Sequence, residues 1–338
     1  MSAEFPSPDR LLSTAFAFRQ SQVLLAAVAL GVFPALRNGA LRLDALLDKL
    51  ALHGRGARDF LDALVSLDLL GRDANGHYHN VPECAVYLDP GQSTYVGGVL
   101  EYLYESNYQA WSGLAAALKS GAPQAGPSAA GGYASFYQEP ARLESFLTGM
   151  TAGSLLPARA LAESFPWRNY ASVIDIGAAQ GCVPVVLAQE HPHLTGGGFD
   201  LPVVGPAFNR YVDRHGLADR LKFHGGDFFL DPLPCADVLV MGRILHNWDL
   251  DTRKALLAKG YRALPPGGAL IVCETLIDDV RRARSHSLLA SLNMVIQTAG
   301  GSEFTGTECA GWMREAGFAT VSIIPLTAFY YAIIAEKG

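Results

Sequence analysis

The chain has 338 residues and a net charge of −6 at pH 7; 17% of its residues are charged and 50% are hydrophobic. Soluble domains average about 25% charged residues, so this composition predicts a large buried core or apolar interface and excludes intrinsic disorder. The acidic balance argues against a nucleic-acid-binding surface, and the length favours about two domains. The 5 cysteines lack the spacing of a zinc site or disulfide framework, which favours reduced thiols in a cytoplasmic protein.

The first segment, residues 9–36, predicts a helix that is apolar on more than one face, as are helices buried in a core or an interface. Its longest apolar run, residues 23–34, is shorter than the roughly 20 residues that span a bilayer. The N-terminus carries acids and prolines where a secretory signal would be basic. We therefore expect no membrane segment, and a helix covered by the core or by a partner subunit.

Residues 41–80 predict two short amphipathic helices and then a hairpin, with Asn75-Gly76 as its turn. Helix, helix and hairpin is the outline of a winged helix, which either binds DNA or serves as a scaffold for packing and dimerisation. Residues 1–100 contain 8 Lys/Arg against 10 Asp/Glu, and the second helix mixes arginines with aspartates. This charge balance favours the scaffold over a DNA-binding domain.

Residues 100–150 are rich in aromatic residues at helical spacing, interrupted by a loop-like stretch at 120–132. Aromatic and methionine side chains suit a flat apolar ligand, although the same residues could form ordinary core. The candidates for lining a pocket here are Tyr104, Tyr108, Trp111, Phe146 and Met150.

From about residue 170 the pattern alternates strand and helix, which predicts a mostly parallel, doubly wound α/β sheet. We therefore predict three regions. Residues 1–100 form a mainly helical, winged-helix-like domain, residues 101–168 form a helical linker and pocket segment, and residues 169–338 form the α/β domain.

Three strand ends of this sheet carry residues suited to a nucleoside-containing cofactor, because ligands bind beyond the carboxyl ends of such strands. The first strand ends in DIGAAQG (175–181), whose small residues let the backbone approach a ligand. The second ends in an acid that can bind ribose hydroxyls, and the third leads to an acid and an aromatic ring that suit adenine. Ordinary turn chemistry is the alternative. The candidates are Asp175, Gly177, Gly181, Asp200, Gly226, Asp227 and Phe228.

A histidine, His246, directly follows the strand ADVLVMGRIL (236–245), which puts it at the same edge of the sheet. A lone histidine is more often structural. Beside a cofactor site, however, an imidazole with an ordinary pKa near 6.5 is suited to accept a proton.

In chain order, DIGAAQG, FDLPVV, GDFF, ADVLVMGRILHNWD and ALPPGGALIVCE resemble the S-adenosylmethionine-dependent O-methyltransferases of the plant caffeate and bacterial polyketide type. The resemblance covers nearly the whole chain and is densest from residue 173 to 320. It implies a Rossmann-like methyltransferase domain, a winged-helix-like dimerisation domain and a homodimer. It also implies S-adenosyl-L-methionine as cofactor, S-adenosyl-L-homocysteine as product, a small-molecule acceptor, and no metal.

The resemblance also implies the contacts with the cofactor. Gly177 would touch its methionine part, Asp200 its ribose and Leu201 its adenosine. Asp227 and Phe228 would touch the adenine, and Arg243, after the fourth strand, would make one further contact. One departure is Ala178-Ala179 in place of the family's glycines. Alanine is still small, but it restricts the backbone wherever φ must be positive.

The resemblance implies that His246 is the general base and that Glu274 and Glu303 are the two acids around it. A carboxylate beside an imidazole orients the ring and favours its charged form. Asn247 stands where the family more commonly has aspartate, and it is a candidate acceptor contact. Residues 287–301 resemble the acceptor-contacting helix, and its candidates are Asn293, Met294 and Gln297.

The implied reaction is direct methyl transfer to a hydroxyl of an aromatic or polycyclic natural product. Three alternatives remain: hydroxylation or a pericyclic step on the same scaffold, N-methylation of a heteroaromatic compound, and a winged-helix regulator that binds DNA. Retention of the histidine and both acids favours methyl transfer.

Overall fold

In this computed structural model, residues 6–129 and 131–338 are described, and the chain divides after Tyr108 into two compact units. The region predicted as a linker, 101–168, is therefore shared between the two units rather than forming a segment of its own. Its first residues belong to the first unit, and the remainder belongs to the second.

The first unit is mainly helical and contains the predicted helix, helix and hairpin. Its elements are α1 (Asp9–Phe16), α2 (Phe18–Ala29), α3 (Val32–Ala35), α4 (Leu43–Leu50), α5 (Gly54–Ser66), β1 (Leu70–Arg72), β2 (Tyr78–Asn80), α6 (Pro82–Tyr87), α7 (Gly97–Tyr102), a π-helical turn (Leu103–Asn107) and α8 (Tyr108–Ala110), which extends across the division. Leu46 of α4 and Leu61 of α5 are fully buried in one core with Leu70 of β1. An antiparallel bridge between Leu41 and Tyr78 gives the hairpin a third partner.

The helix predicted over residues 9–36 is divided. Gly31 adopts a φ of +71°, in the left-handed region that glycine tolerates, and this separates α2 from α3. The stretch Asp9–Ala29 has 21 residues and contains an 18-residue window with a mean hydropathy of 1.3, so it is long and apolar enough to cross a membrane by length and composition alone. Length therefore does not exclude a span, and α1 buries none of its side chains. The exposed apolar side chains of this stretch are Leu11, Leu12, Phe16 and Phe18.

The second unit is a sheet with helices on both faces. Its strands are β3 (Ser172–Ile176), β4 (Thr195–Asp200), β5 (Leu221–Gly225), β6 (Val238–Gly242), β7 (Ala269–Ile277), β8 (Phe304–Thr305), β9 (Thr320–Pro325) and β10 (Tyr330–Glu336). Its helices are α9 (Leu114–Ser120), α10 (Gly126–Ala129), α11 (Tyr133–Phe136), α12 (Pro140–Ser164), α13 (Cys182–Glu190), α14 (Gly205–Arg214), α15 (Leu250–Ala263), α16 (Ser285–Gln297) and α17 (Gly306–Glu315). The strand order is β5-β4-β3-β6-β7-β10-β9. β3 to β7 run parallel, which confirms the predicted doubly wound α/β fold.

Alternate residues of β7 explain why both faces are covered. Val272 packs in one core cluster with Leu257 of α15, and Ile271 packs in another with Leu161 of α12. β7 is buried along its whole length, and its residues 269–273 form an apolar run, as expected for a strand covered on both faces. The packing of α12 on the sheet explains why the predicted linker region joins the second unit.

Two features of the sheet were not predicted. β10 lies antiparallel between β7 and β9, so the last hairpin extends the sheet beyond β7 with its second strand next to β7 and its first strand at the edge. β8 is a short strand whose Phe304 pairs with Leu276 at the end of β7. This pairing holds the preceding residue, Glu303, at the carboxyl end of β7.

Candidate active site

Backbone hydrogen bonds join the loops at the carboxyl ends of β3, β4 and β5. The N–H of Gly177 donates to the carbonyl of Phe199 at 2.8 Å, and the N–H of Gly226 donates to the carbonyl of Asp200 at 2.9 Å. Gly177 has a φ of +76°, and a Cβ there would lie 2.3 Å from Cδ1 of Ile244. The left-handed φ and the close Ile244 side chain both favour glycine at this turn.

One of the two alanines in this turn carries a conformational cost. Ala179 has a φ of +49°, in the left-handed region, whereas Ala178 lies outside that region. A left-handed residue with a Cβ is disfavoured by roughly 1–2 kcal/mol. The departure from the glycine pattern therefore costs free energy at one position only.

Backbone N–H groups hold the carboxylate of Asp200, at the end of β4. Its carboxylate accepts the backbone N–H of Ala179 at 2.9 Å and that of Leu201 at 2.7 Å. Burial raises the pKa of Asp200 to about 6, although these hydrogen bonds act in the opposite direction. Burial also raises the pKa of Asp175 well above its usual range, and the nearby Asp200 adds to this. Further hydroxyl donors, such as those of a ribose, would favour the ionised form of Asp200.

The loop after β5 is ordered by its own acids. The Asp227 carboxylate accepts the N–H of Phe229 at 2.8 Å, and the N–H of Asp227 donates to Asp231 at 2.8 Å. The ring of Phe228 packs edge-on against Phe229, with centroids 4.7 Å apart, and lies 6.0 Å from that of Trp248. An acid and an aromatic ring thus follow Asp200 along the same edge, and their contacts with a cofactor stay a prediction.

His246 lies in the 3₁₀ turn Leu245–Asn247, shortly after β6. Its Nδ1 is 2.8 Å from Oε1 of Glu303 and 3.4 Å from Oε2 of Glu274. Both acids are buried, and the other oxygen of Glu274 accepts the N–H of Leu245 at 2.9 Å. The structure thus brings together the three residues expected to be catalytic. Because Nδ1 faces the acids, Nε2 is the ring nitrogen suited to accept a proton.

The electrostatics of this cluster favour a charged imidazole. Burial alone lowers the pKa of His246, but Glu274 and Glu303 act in the opposite direction, and the pKa is raised above 6.5. Burial raises the pKa of Glu274 and Glu303 adds to it, while His246 opposes the rise. One ligand atom from each residue lies within 4.8 Å of the others, close enough for a metal ion. In the observed arrangement Nδ1 is hydrogen-bonded to Glu303, and the metal-free interpretation stays a prediction.

Arg253, on α15, was not anticipated from the sequence. It is 4% exposed, and its guanidinium donates to the carbonyl of Leu245 at 3.0 Å and to that of Ser302 at 2.5 Å. It therefore ties the turn that carries His246 to the residue before Glu303. No sequence signal identified it, because arginines on amphipathic helices are usually solvated.

Two of the acceptor candidates lie on α12. Phe146 and Met150 face the rest of the second unit from this helix, and the carbonyl and sulfur of Met150 contact the guanidinium of Arg243. Arg243 directly follows β6 and has a φ of +58°. Arg243, a candidate contact of the cofactor, therefore touches Met150, a candidate contact of the acceptor.

The other acceptor candidates are divided between the units. Asn293, Met294 and Gln297 lie on α16, where the Gln297 amide donates to Oδ1 of Asn293 at 3.0 Å. Trp111 begins the 3₁₀ turn Trp111–Gly113, which contacts α16. Tyr104 and Tyr108 lie in the first unit, and their acceptor contacts stay a prediction.

Asn247, next to the histidine, makes hydrogen bonds through both ends of its amide. Its Nδ2 donates to the carbonyls of Arg243 and Ile244 at 3.0 and 3.2 Å, and its Oδ1 accepts the hydroxyl of Tyr133 at 3.2 Å. Tyr133 was missed because it directly follows a Gly-rich, loop-like stretch. Its ring lies 6.1 Å from Trp248, another residue that the sequence did not single out.

Comparison with known proteins identifies the family of this chain. Residues 12–90 match the O-methyltransferase dimerisation domain, and residues 111–319 match the O-methyltransferase domain. The chain belongs to the S-adenosylmethionine-dependent O-methyltransferase family. The predicted family, enzyme class and S-adenosylmethionine cofactor are thus confirmed.

Several members of this family match the chain over nearly its whole length. It is 40% identical to the tetracenomycin polyketide synthesis 8-O-methyl transferase TcmO of Streptomyces glaucescens, over 93% of this chain and 92% of that protein. It is 37% identical to the N,N-dimethyltransferase OxyT of Streptomyces rimosus, over 91% and 90% respectively. The crystal structure of human N-acetylserotonin methyltransferase in complex with S-adenosylmethionine has a TM-score of 0.90 and 29% identity, and covers 100% of both chains.

We expect Gly177→Ala to be harmful and Ala179→Gly to be harmless in the first turn of this methyltransferase. Gly177→Ala should weaken S-adenosylmethionine binding by about tenfold or more, since the new Cβ meets Ile244 and φ is left-handed. Ala179→Gly should leave the free energy of unfolding unchanged or raise it by up to about 1 kcal/mol, because relief of strain outweighs the greater freedom of the unfolded chain. Calorimetry and urea unfolding measure these effects. Loss of stability in Ala179→Gly would contradict the left-handed assignment.

A second prediction concerns pH. A base must be neutral to act, so the reaction rate should rise with pH through the raised pKa of His246. Glu303→Gln keeps an oxygen for Nδ1–H but removes a negative charge, so the acid limb of kcat/KM should move down by about one pH unit. Glu315→Gln, in the surface pair with Lys254, is the matched control and should keep the original profile. An acid limb unmoved by Glu303→Gln would show that Glu303 does not set this pKa.

Proposed function

We propose that this protein transfers a methyl group from S-adenosylmethionine to a hydroxyl of an aromatic or polycyclic small molecule, with His246 as general base. The observation that carries the proposal is the 2.8 Å contact between Nδ1 of His246 and the buried Glu303, beside the loops that end β3 to β5. A structural histidine would have no need of two buried carboxylates, because burying such a group of charges is costly.

In this proposal the cofactor lies along the strand ends. The glycine turn at Gly177 suits the methionine part, the Asp200 carboxylate suits the ribose, and Asp227 with Phe228 suits the adenine. When bound, S-adenosylmethionine supplies an electrophilic methyl group on a sulfonium. The remaining candidates for this contact are Asp175, Gly181, Leu201, Gly226 and Arg243.

His246 makes the acceptor nucleophilic in this mechanism. A phenol with a pKa near 10 is a weak nucleophile at neutral pH, so Nε2 accepts its proton as the oxygen attacks the methyl carbon. Glu303 and Glu274 stabilise the imidazolium that results. Such proton transfer typically contributes about 10²–10⁴-fold, and the alignment of the reacting atoms supplies the rest. The proton then leaves His246 for solvent.

The surroundings of His246 support a flat acceptor. The ring centroid of Tyr133 lies 6.2 Å from that of Phe146 on α12 and 6.1 Å from that of Trp248, just after the turn that follows β6. Apolar aromatic walls with a few polar groups are typical of sites for ring compounds. The relatives named for a tetracenomycin polyketide and for a hydroxynaphthoate support the same acceptor class.

N-methylation is the second candidate, because the relative OxyT is named as an N,N-dimethyltransferase and is 37% identical. An amine that is already neutral needs no base to become nucleophilic. The buried acids around His246 therefore favour a hydroxyl.

We further propose that the protein is a homodimer that buries the exposed apolar side chains of α1 and α2. Leu12 and Phe16 of α1 are 47% and 48% exposed, and Phe18 of α2 is 53% exposed. Residues 12–90 match the family's dimerisation domain, which supports a partner subunit as the cover for this surface. Contiguous exposed apolar patches of this kind are typical of protein interfaces.

His246→Ala should abolish methylation of a panel of hydroxyanthraquinones and hydroxynaphthoates while calorimetry shows nearly unchanged affinity for S-adenosylmethionine. The reason is that the imidazole removes a proton and does not hold the cofactor. His215→Ala, on the surface at the end of α14, is the control and should keep full activity. Formation of S-adenosylhomocysteine is the measurement, and full turnover by His246→Ala would refute the base.

The same assay with a chelator separates an imidazole from a metal. Activity that survives the chelator but not His246→Ala assigns the chemistry to the imidazole. Loss of activity in the chelator, restored by a divalent ion, would instead assign the three-residue cluster to a metal.

Leu12→Asp with Phe16→Asp should convert the dimer to a monomer, because two charges would have to enter the apolar interface. Light scattering after size exclusion gives the molecular mass, with Leu230→Asp as a control at an exposed leucine outside this surface. A wild-type mass near that of one chain would refute the dimer.

A further inference from the structure

Tyr133 connects the aromatic wall to the turn that carries the proposed base. Its hydroxyl donates to Oδ1 of Asn247 at 3.2 Å, and its ring lies 5.7 Å from Tyr137, 6.2 Å from Phe146 and 6.1 Å from Trp248. One side chain thus touches both the wall and the residue directly after His246.

The chemistry of asparagine fixes the direction of this hydrogen bond. Nδ2 of Asn247 donates to the carbonyls of Arg243 and Ile244, so the amide oxygen must face the other way, toward Tyr133. An aspartate has no N–H to offer these carbonyls. The asparagine therefore holds the strand end on one side and offers a neutral acceptor to the tyrosine hydroxyl on the other.

The chain before Tyr133 is anchored independently on α16. The N–H groups of Gln124 and Ala125 both donate to the carbonyl of Ile296, at 2.7 and 3.1 Å. The N–H of Ala299 donates to Oγ of Ser128 at 3.2 Å. We name residues 124–129 and 131–137 the strap. The first residues of the strap are attached to α16, and the Tyr133 hydroxyl attaches the strap to the turn that carries His246.

We propose that Tyr133 is a positioning residue that fixes the strap and thereby the aromatic wall against which the acceptor binds. This inference rests on the proposed methyl transfer and adds a determinant of acceptor affinity to it. A fixed wall binds a flat ring more tightly than a mobile one, because the ordering entropy is not lost at the moment of binding. The Tyr133 hydroxyl bonds Asn247, next to the proposed base, so the chemical step should be nearly independent of that hydroxyl.

Tyr133→Phe tests this with the loss of one oxygen atom. With the hydroxyanthraquinone or hydroxynaphthoate that the wild type methylates fastest, KM for the acceptor should rise about fivefold, the worth of one hydrogen bond, while kcat stays within about twofold. In an Asn247→Ala background the same substitution should leave KM unchanged, since the bond is already lost. Tyr170→Phe, at the amino end of β3, is the matched control and should alter neither constant.

Hydrogen exchange gives a readout that needs no acceptor. Peptides covering the strap should exchange faster in Tyr133→Phe than in the wild type or in Tyr170→Phe. Unchanged KM together with unchanged exchange would overturn the role of Tyr133, and so would a fall in kcat without a rise in KM. These failures differ from failure of the proposed function, which would appear as a wild type that forms no S-adenosylhomocysteine or as an active His246→Ala.

Discussion

The contact between His246 and two buried carboxylates is the interaction on which the rest of the site depends. Buried charges are tolerated only where partners and hydrogen bonds compensate for lost hydration. That requirement explains several neighbouring features: the backbone N–H groups that Glu274 accepts, the short strand β8 that holds Glu303, and the buried Arg253 that joins their loops. The need to compensate these buried charges thus accounts for the contacts that Glu274, Glu303 and Arg253 make around His246.

A different constraint acts on the turn after β3, where the proposed cofactor site begins. There the limit is the space beside the backbone rather than the burial of charge. Gly177 leaves no room for a Cβ, whereas Ala179 accepts the left-handed conformation and donates its N–H to Asp200. The strain at Ala179 is therefore coupled to a hydrogen bond that orients Asp200. A glycine at position 179 would keep this bond and lose the strain, because the donor is the backbone N–H.

The order of elements could be read from the sequence because each signal there is local. Alternating strands and helices predicted the parallel sheet, and the asparagine-glycine turn predicted the hairpin between β1 and β2. Glu274 and Glu303 were found only through motifs, since nothing in their spacing shows that β8 pairs with β7. Arg253 and Tyr133 were not found at all, because their roles come from tertiary partners distant in the chain. The position of β10 between β7 and β9 likewise depends on packing rather than on local pattern.

The separation of the proposed catalytic partners along the chain has a consequence for how the enzyme reaches its active form. His246 and Glu303 are 57 positions apart, with α15, β7 and α16 between them, whereas the cofactor turn joins neighbouring strands. Closing long loops costs more entropy, and topologies rich in distant contacts fold slowly. During refolding, affinity for the nucleoside should therefore return before turnover, and recovered turnover marks completion of the second half of the sheet.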